Sequence, residues 1–356
     1  MFDLITVGAG LSGLALARAA SIRDAELLVL EARARLGGRV LGHRTSAGVY
    51  DLGPAWIWPD MQPRVAQLAR AAGLALTEQA ETGQCVFQDE RGATQRLPFG
   101  FAQQPPSMRI VGGITALVDH LASGLSPQRI LLEHVVERVA LLDASVEITA
   151  RSPSGAVTLR TARVALALPP RLIAEIEFSP ALPAAVRDPL AAVPGWMASQ
   201  GKALALYDRP LWSEAGLSGS AFSRIGPLGE LHDASLVGAG EHALFGFFAW
   251  SAEQRRAHVA NLPHLVARQL GALFGASAAR PRELIIQDWA CEPFTATAAD
   301  AGHGGGHPDY RPIRLPDPWS NRVLLAGAEA APEFGGYLEG ALAAAEAVDR
   351  ELRHGL

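Results

Sequence analysis

Residues 2–13 read F-D-L-I-T-V-G-A-G-L-S-G, and the fold turns on this stretch. Phe2 to Val7 is a short apolar run with strand character. Gly8, Gly10 and Gly13 follow in G-x-G-x-x-G spacing around Leu11 and Ser12, and alanine-rich Leu14–Ala20 reads as helix. A second apolar run, Glu26–Leu30, ends at Glu31, 18 residues past Gly13. Strand, glycine turn, helix, strand and acid in this register make a dinucleotide-binding βαβ unit. Gly8 suits a turn too tight for a side chain, Gly10 a close approach of pyrophosphate, and Gly13 a close packing of helix on strand. The helix N-terminus offers free N–H groups and partial positive charge to phosphates. Glu31, at the strand tip, is placed to accept hydrogen bonds from ribose hydroxyls.

Ala32–Val40 (A-R-A-R-L-G-G-R-V) continues from the acid, with a Gly37-Gly38 turn and Arg39 near the expected pyrophosphate. Val49–Pro59 (V-Y-D-L-G-P-A-W-I-W-P) is a strand broken at Gly53-Pro54 and followed by Trp56 and Trp58. Pro63–Gly73 reads as a helix with Val65, Leu68 and Ala72 on one face. Leu74–Pro106 reads as a small antiparallel excursion. Ile110–Leu125 is a Gly-Gly turn and helix, and strands are expected over 130–142, 146–150, 157–159 and 164–168. Helical pieces punctuated by proline cover 172–194, strands 201–207 and 241–250, and one long amphipathic helix 252–273, with Val259 on its apolar face. Strand 284–289, a loop with glycines at 302–306, strand 323–326 and an alanine-rich helix over 336–352 return to nucleotide-fold character.

The chain of 356 residues is 49% apolar, which supports a full core and argues against disorder. A net charge of −5 without a basic block argues against a nucleic-acid partner. Cys85 and Cys291 sit in no C-x-x-C, so neither a zinc site, any other metal site nor a disulfide framework is expected. The first strand begins at residue 2 and no apolar run has the length of a membrane span, so the expectation is a cytoplasmic protein with no leader and no membrane segment.

G-A-G-L-S-G-L with Glu31, then L-G-G-R-V, D-L-G-P-A-W, V-G-G-I-T-A-L, A-L-P-P, and A-G-A-E with G-G-Y-L-E-G-A-L, resembles in order the flavin-containing amine oxidases, the monoamine oxidase-like FAD-dependent oxidoreductases. The resemblance implies an α/β fold: a discontinuous Rossmann-like FAD-binding domain with a mainly parallel sheet (1–75, 107–172 and 284–356), and an α+β substrate-binding domain with a mixed or antiparallel sheet (76–106 and 173–283). It implies that Gly8, Gly10, Leu11, Ser12 and Gly13 hold the FAD pyrophosphate, and that Glu31, with Ala32 and Arg33, holds the adenosine ribose. Gly38 and Arg39 would reach the phosphates and flavin side, and Gly53, Pro54, Ala55 and Trp56 would run under the isoalloxazine. Val136 would meet adenine, Trp289 would pack beside the flavin, and Glu329, Gly336, Tyr337 and Leu338 would close over ribityl and pyrimidine. A helix opening at Gly336-Tyr337 would also favour the charge of reduced flavin.

Two positions resemble the family's chemical groups. Lys202, in Q-G-K-A-L-A-L-Y, resembles the lysine that holds water against the flavin's reactive nitrogen, and an ammonium alternating into an apolar strand is costly without a partner. Tyr337 resembles one wall of the aromatic cage around the substrate nitrogen. The second wall would fall near Ala298 or Ala299, where no aromatic stands; Trp56 or Phe294 is the candidate replacement. No cysteine is placed for covalent attachment, so noncovalent FAD is implied. No arginine is clearly poised for a substrate carboxylate, Arg109 and Arg224 being the only candidates, which favours amines over amino acids. The implied activity is oxidation of a small-molecule amine by hydride transfer to flavin, with O2 as reoxidant giving hydrogen peroxide. The rival readings are a flavin oxidase or desaturase acting on a carbon or dihydronicotinamide substrate, and a non-catalytic flavin-bound scaffold. The sequence sets no oligomeric state, a dimer being one form.

Overall fold

The computed structural model describes residues 1–98, 103–238, 240–301 and 306–354. The glycines at 302–305 therefore lie outside the described residues, as does the 99–102 part of the expected excursion.

The opening unit forms as its sequence dictates. β1 (Phe2–Val7) leads through the glycine turn into α1 (Leu11–Ser21) and on to β2 (Leu27–Leu30), parallel to β1. β1 is central in an eight-stranded sheet, between β2 and the long strand Gly155–Leu166, both parallel to it. Ile130–Leu131 continues the sheet beyond β2, and Val323–Leu325 pairs in parallel with Gly155–Leu166. Leu4 faces α1 and the helices Thr115–Ser123 and Leu338–His354, while Ile5 and Val7 face Phe178, Trp319 and Val164 on the other side. Such alternation needs a strand that is apolar on both faces, as Phe2–Val7 nearly is.

A second, mixed sheet of seven strands runs in the order 283–288, 201–207, 242–248, 228–233, 217–223, 84–88, 94–97. Its pairings are antiparallel except for Leu217–Ser223 with Gln84–Gln88, which is parallel. The helix Leu262–Phe274 covers one face, packing on Ala203, Ala205 and Tyr207. The other face, Leu204, Leu206 and Phe245, turns toward Tyr50 and Leu52 of the first unit. Two different architectures thus meet across the stretch 49–58.

The structure corrects four expectations. Glu283–Asp288 is a strand, but it pairs with Gly201–Tyr207 in the second sheet, whereas residues from 284 were assigned to the first unit. Residues 177–190, assigned to the second unit, instead complete the first: Glu177–Ser179 pairs with Val135–Leu141, and Phe178, Leu182 and Leu190 join its core. The strands expected at 157–159 and 164–168 are one strand, Gly155–Leu166. The helix expected over 252–273 is two, Ala252–Ala257 and Leu262–Phe274, with Val259 exposed between them. Pro263 in the first turn of the second helix lacks the N–H that a continuous helix needs there and disfavours helix at the residue before it. Among the described residues no helix is long and apolar enough to cross a membrane.

Candidate functional site

The glycine turn is held tight by backbone. Gly8 has φ of 100°, its N–H donates to Leu30 O at 2.7 Å, and a Cβ there would stand 2.6 Å from Ala167 O. A Cβ on Gly13 would stand 1.9 Å from Gly8 O, so helix and turn are in contact only because residue 13 has no side chain. Gly10 is different: its φ of −76° suits any residue, and a Cβ would meet nothing nearer than Gly37 O at 3.8 Å. The fold itself does not require glycine at position 10, and its absent side chain leaves the backbone there open to a ligand. Beside it, α1 has no side-chain cap, so the N–H groups of its first turn are free for an anion. Leu11 and Ser12 are buried there, and the Ser12 hydroxyl donates to Ala326 O, joining this turn to the end of the strand Val323–Leu325. These features fit a pyrophosphate.

Glu31 is 3% exposed and accepts from the Ala9 and Arg33 N–H groups at 2.8 and 2.9 Å, one per carboxylate oxygen. Each oxygen keeps a second lone pair for a hydroxyl. Ala32 and Arg33 line a cleft of about 640 Å³ with Val135, Glu292, Pro293 and Phe294. Val136 lies next to that cleft, on the strand Val135–Leu141, where the pairing with Ala150 is followed by a register shift. Gly37 donates to Ala9 O at 2.9 Å, and Gly38, with φ of 57°, would place a Cβ 3.3 Å from Gly10 Cα. Arg35 folds over this turn and donates to Gly38 O at 2.9 Å.

Arg39 is engaged by protein. Its guanidinium makes a bidentate pair with Glu329 at 2.6 and 3.0 Å, and Glu329 is fully buried. Burial alone lowers the Arg39 pKa, but the adjacent carboxylate outweighs it and the net shift is upward. Gly53 packs on the backbone of Arg39, where a Cβ would come 2.2 Å from its carbonyl oxygen. Pro54 and Ala55 carry the chain on to Trp56, whose Nε1 donates to Gln79 Oε1 at 2.8 Å.

Lys202 lies at the junction. The strand Gly201–Tyr207 is buried throughout and has a neighbour on each side, so an edge lysine facing solvent is excluded. Period-two alternation puts Lys202 on the face of Leu204 and Leu206, toward the first unit. Its Nζ donates to Gly53 O at 3.0 Å and sits 4.3 Å from the Phe245 ring centroid and 5.6 Å from that of Phe247. Burial pulls its pKa from 10.5 down to about 7; nearby Asp51 opposes this and Arg109 adds to it. Burial likewise raises Asp51, which accepts the Ile114 N–H at 2.9 Å. Trp56 completes an aromatic wall here, with centroid distances of 5.3 Å to Phe245 and 6.2 Å to Phe247. Trp289 is buried beside it and donates through Nε1 to Leu52 O at 3.1 Å. Arg109, 8% exposed, spends its two Nη groups on Ser235 O and Ala234 O, and Arg224 is exposed.

Tyr337 precedes the helix Leu338–His354, and its carbonyl accepts the Ala341 N–H at 3.0 Å. Gly336, with φ of 78°, leaves room for Trp196, whose Cβ a Gly336 Cβ would approach to 2.5 Å. Leu338 packs into the core beside α1. Besides Phe334, edge-on at 6.2 Å, the Tyr337 ring neighbours Trp196 at 5.8 Å and His307 at 5.1 Å, the latter stacked at 22°. Neither was foreseen; the only sequence signals are an indole six residues before Lys202 and a histidine after the glycine run. Ala298 and Ala299 are exposed and supply no wall. Phe294 does not replace them: it lies against Arg33, 5.5 Å from the guanidinium carbon, at the Glu31 end.

Comparison with known proteins assigns this arrangement to a family. The family model for flavin containing amine oxidoreductase matches residues 100–350, and that for an NAD(P)-binding Rossmann-like domain matches residues 6–72. The chain belongs to the flavin-containing amine oxidoreductases. Among its relatives, a Dictyostelium discoideum protein named as a flavin-containing monoamine oxidase A is 28% identical over 259 residues, 71% of this chain and 54% of that protein. The chain thus spans about half the length of that relative. A Mycobacterium tuberculosis protein named as a flavin-containing monoamine oxidase is 25% identical over 441 aligned positions, 96% of this chain and 94% of that protein. An L-amino acid dehydrogenase of Synechocystis is 28% identical over 269 residues, 70% of this chain and 52% of that protein. Solved structures share the fold: putrescine oxidase bound to putrescine (TM-score 0.80, 18% identity) and cyclohexylamine oxidase from Brevibacterium oxydans (TM-score 0.79, 21% identity), each matched over 99% of both chains. The cofactor of this flavin-containing amine oxidoreductase is FAD, and the uncapped helix, the unneeded Gly10 side chain and the spare lone pairs of Glu31 fit its pyrophosphate and ribose.

Proposed function

We propose that the protein oxidises a small primary or secondary amine to an imine that hydrolyses to a carbonyl compound, and that dioxygen is the final acceptor and is released as hydrogen peroxide. Bound noncovalently, FAD would supply the two-electron acceptor at the carbon bearing nitrogen. The chain's own residues bind, orient and exclude water. Gly8, Gly10, Ser12 and Gly13 would hold the pyrophosphate, and Glu31, Ala32, Arg33 and Val136 the adenosine. Gly38, the Arg39–Glu329 pair, Gly53, Pro54, Ala55, Trp289, Gly336 and Leu338 would fix the flavin side. Trp56, Phe245 and Phe247 make an apolar wall that suits a neutral amine with a hydrocarbon substituent. Tyr337 would orient the substrate nitrogen.

The observation that carries the reading is Lys202: an amine only 2% exposed, fixed by Gly53 O in a strand buried from end to end. With its pKa lowered by burial, it can hold or yield a proton near neutral pH, and so can order a water beside the reacting atoms. The commitment of Arg109 to two carbonyls supports amines over amino acids. The test is a yellow purified protein whose colour is released by acid precipitation, bleached anaerobically by amines and restored by air with formation of peroxide. Lys202→Met should keep the flavin and slow turnover. Unchanged turnover would remove the role given to the lysine. Bleaching by L-amino acids with no recovery in air would turn the reading toward a dehydrogenase of the Synechocystis kind.

A further inference from the structure

The segment that leaves the second sheet after Asp288 crosses back to the end of β2. Glu292 Oε2 lies 3.3 Å from both Nε and Nη2 of Arg33, 259 residues away. Thr295 Oγ1 accepts from the same Nη2 at 2.7 Å, and the Phe294 ring lies against the guanidinium, 5.5 Å from its carbon. Gln287 donates to the other Glu292 oxygen at 3.5 Å and steadies it. On the β2 side, the Arg33 N–H donates to Glu31 at 2.9 Å and its carbonyl accepts from Glu133 at 3.0 Å. Arg33 is thus gripped from both sides of the 640 Å³ cleft, which Ala32 and Arg33 line from one side and Glu292, Pro293 and Phe294 from the other. Glu31 adds a longer ion pair, 3.8 Å from its Oε1 to Arg33 Nη1, so the closer side-chain contacts come from the far side. Arg35 nearby, its pKa lowered by burial and then by the charge of Arg33, makes a second carboxylate here favourable.

We propose that Glu292, Phe294 and Thr295 form a clasp that closes the adenosine end of the cleft by holding Arg33, and so retains the noncovalent cofactor. This rests on the reading of FAD at Glu31. Release of FAD would require the ion pair, the hydroxyl contact and the ring contact to open together.

The experiment measures the rate of flavin release from the holoprotein by the fluorescence gained on dissociation, for wild type, Glu292→Gln, Phe294→Ala and the double variant. A threefold to tenfold faster release is expected for each single variant, and more than about tenfold for the double. Raised salt should speed release from wild type and leave Glu292→Gln almost unchanged. FMN, which lacks adenosine, should be released at the same rate from all four proteins. Variants that release FAD at the wild-type rate, or that speed FMN release as much as FAD release, overturn the clasp and leave the cofactor reading standing. A wild-type protein that takes up no FAD overturns both.

Discussion

The two ends of the site are built differently. At the nucleotide end the work is done by backbone: glycines that permit contacts of 1.9 to 2.6 Å from a hypothetical Cβ, free amides of α1, and one carboxylate that braces the turn through Ala9. At the proposed reacting end it would fall to side chains from distant elements: Lys202, Trp56, Phe245 and Trp289, with Trp196, His307 and Tyr337 forming a separate aromatic group. A backbone site tolerates no change of residue at its contacts but is written in a short stretch of sequence. A side-chain site is dispersed, and each member carries a separable part of its function.

That contrast can be broken by substitution. Gly13→Ala should have the largest effect. A Cβ 1.9 Å from Gly8 O forces α1 off the turn, and the protein should purify without flavin absorbance even if folded. Arg39→Ala comes next, because it strands the buried Glu329 carboxylate; a loss of about 3 kcal/mol is expected by denaturant titration of the flavin-free protein. Adding Glu329→Gln should recover part of it. Lys202→Met should retain full flavin absorbance while slowing anaerobic flavin reduction or its reoxidation by at least about tenfold, read by stopped flow. Trp196→Ala should raise KM for the amine by about threefold to tenfold with kcat little changed, the scale of one aromatic contact.

A separate expected effect is on the pH dependence of stability. Burial holds Lys202 at about 7 against 10.5 for a free lysine. Between those values the unfolded chain binds more protons than the folded one, so this group's contribution to stability rises as pH rises from about 7 toward 10.5. Wild type should therefore gain Tm relative to Lys202→Met between pH 7 and pH 9. Equal slopes in the two proteins would show that folding does not lower the pKa of this lysine.

The nucleotide end was legible from Gly8 to Glu31 because each requirement there is local: a positive φ, a close approach, a helix start. Lys202 stood out as an ammonium in an otherwise apolar strand, but the strand pattern alone left a solvent-facing edge position equally open, and its burial between two neighbouring strands comes from the fold. The partners of Tyr337 were not. Trp196 reaches it through a turn that Asp300 stabilises from 105 residues away by accepting the Gly195 N–H, and no local pattern encodes that contact. Phe294 was misplaced for the same reason, since its ring follows Arg33 rather than its neighbour Trp289. The strand Glu283–Asp288 was recognised as a strand but given to the wrong sheet, because its residues fix its conformation and not its partner.

The bond between the Ser12 hydroxyl and Ala326 O joins residues 314 positions apart. The helix Leu338–His354 packs on α1, and its Glu339 accepts the N–H groups of Arg64 and Val65 at the start of Pro63–Ala71. A ribosome adding roughly 5–20 residues per second delivers these partners tens of seconds after α1 has emerged. Through that interval the helix Thr115–Ser123 covers only part of the apolar side of the first βαβ unit, so the first segment to be synthesised is among the last to have its packing completed.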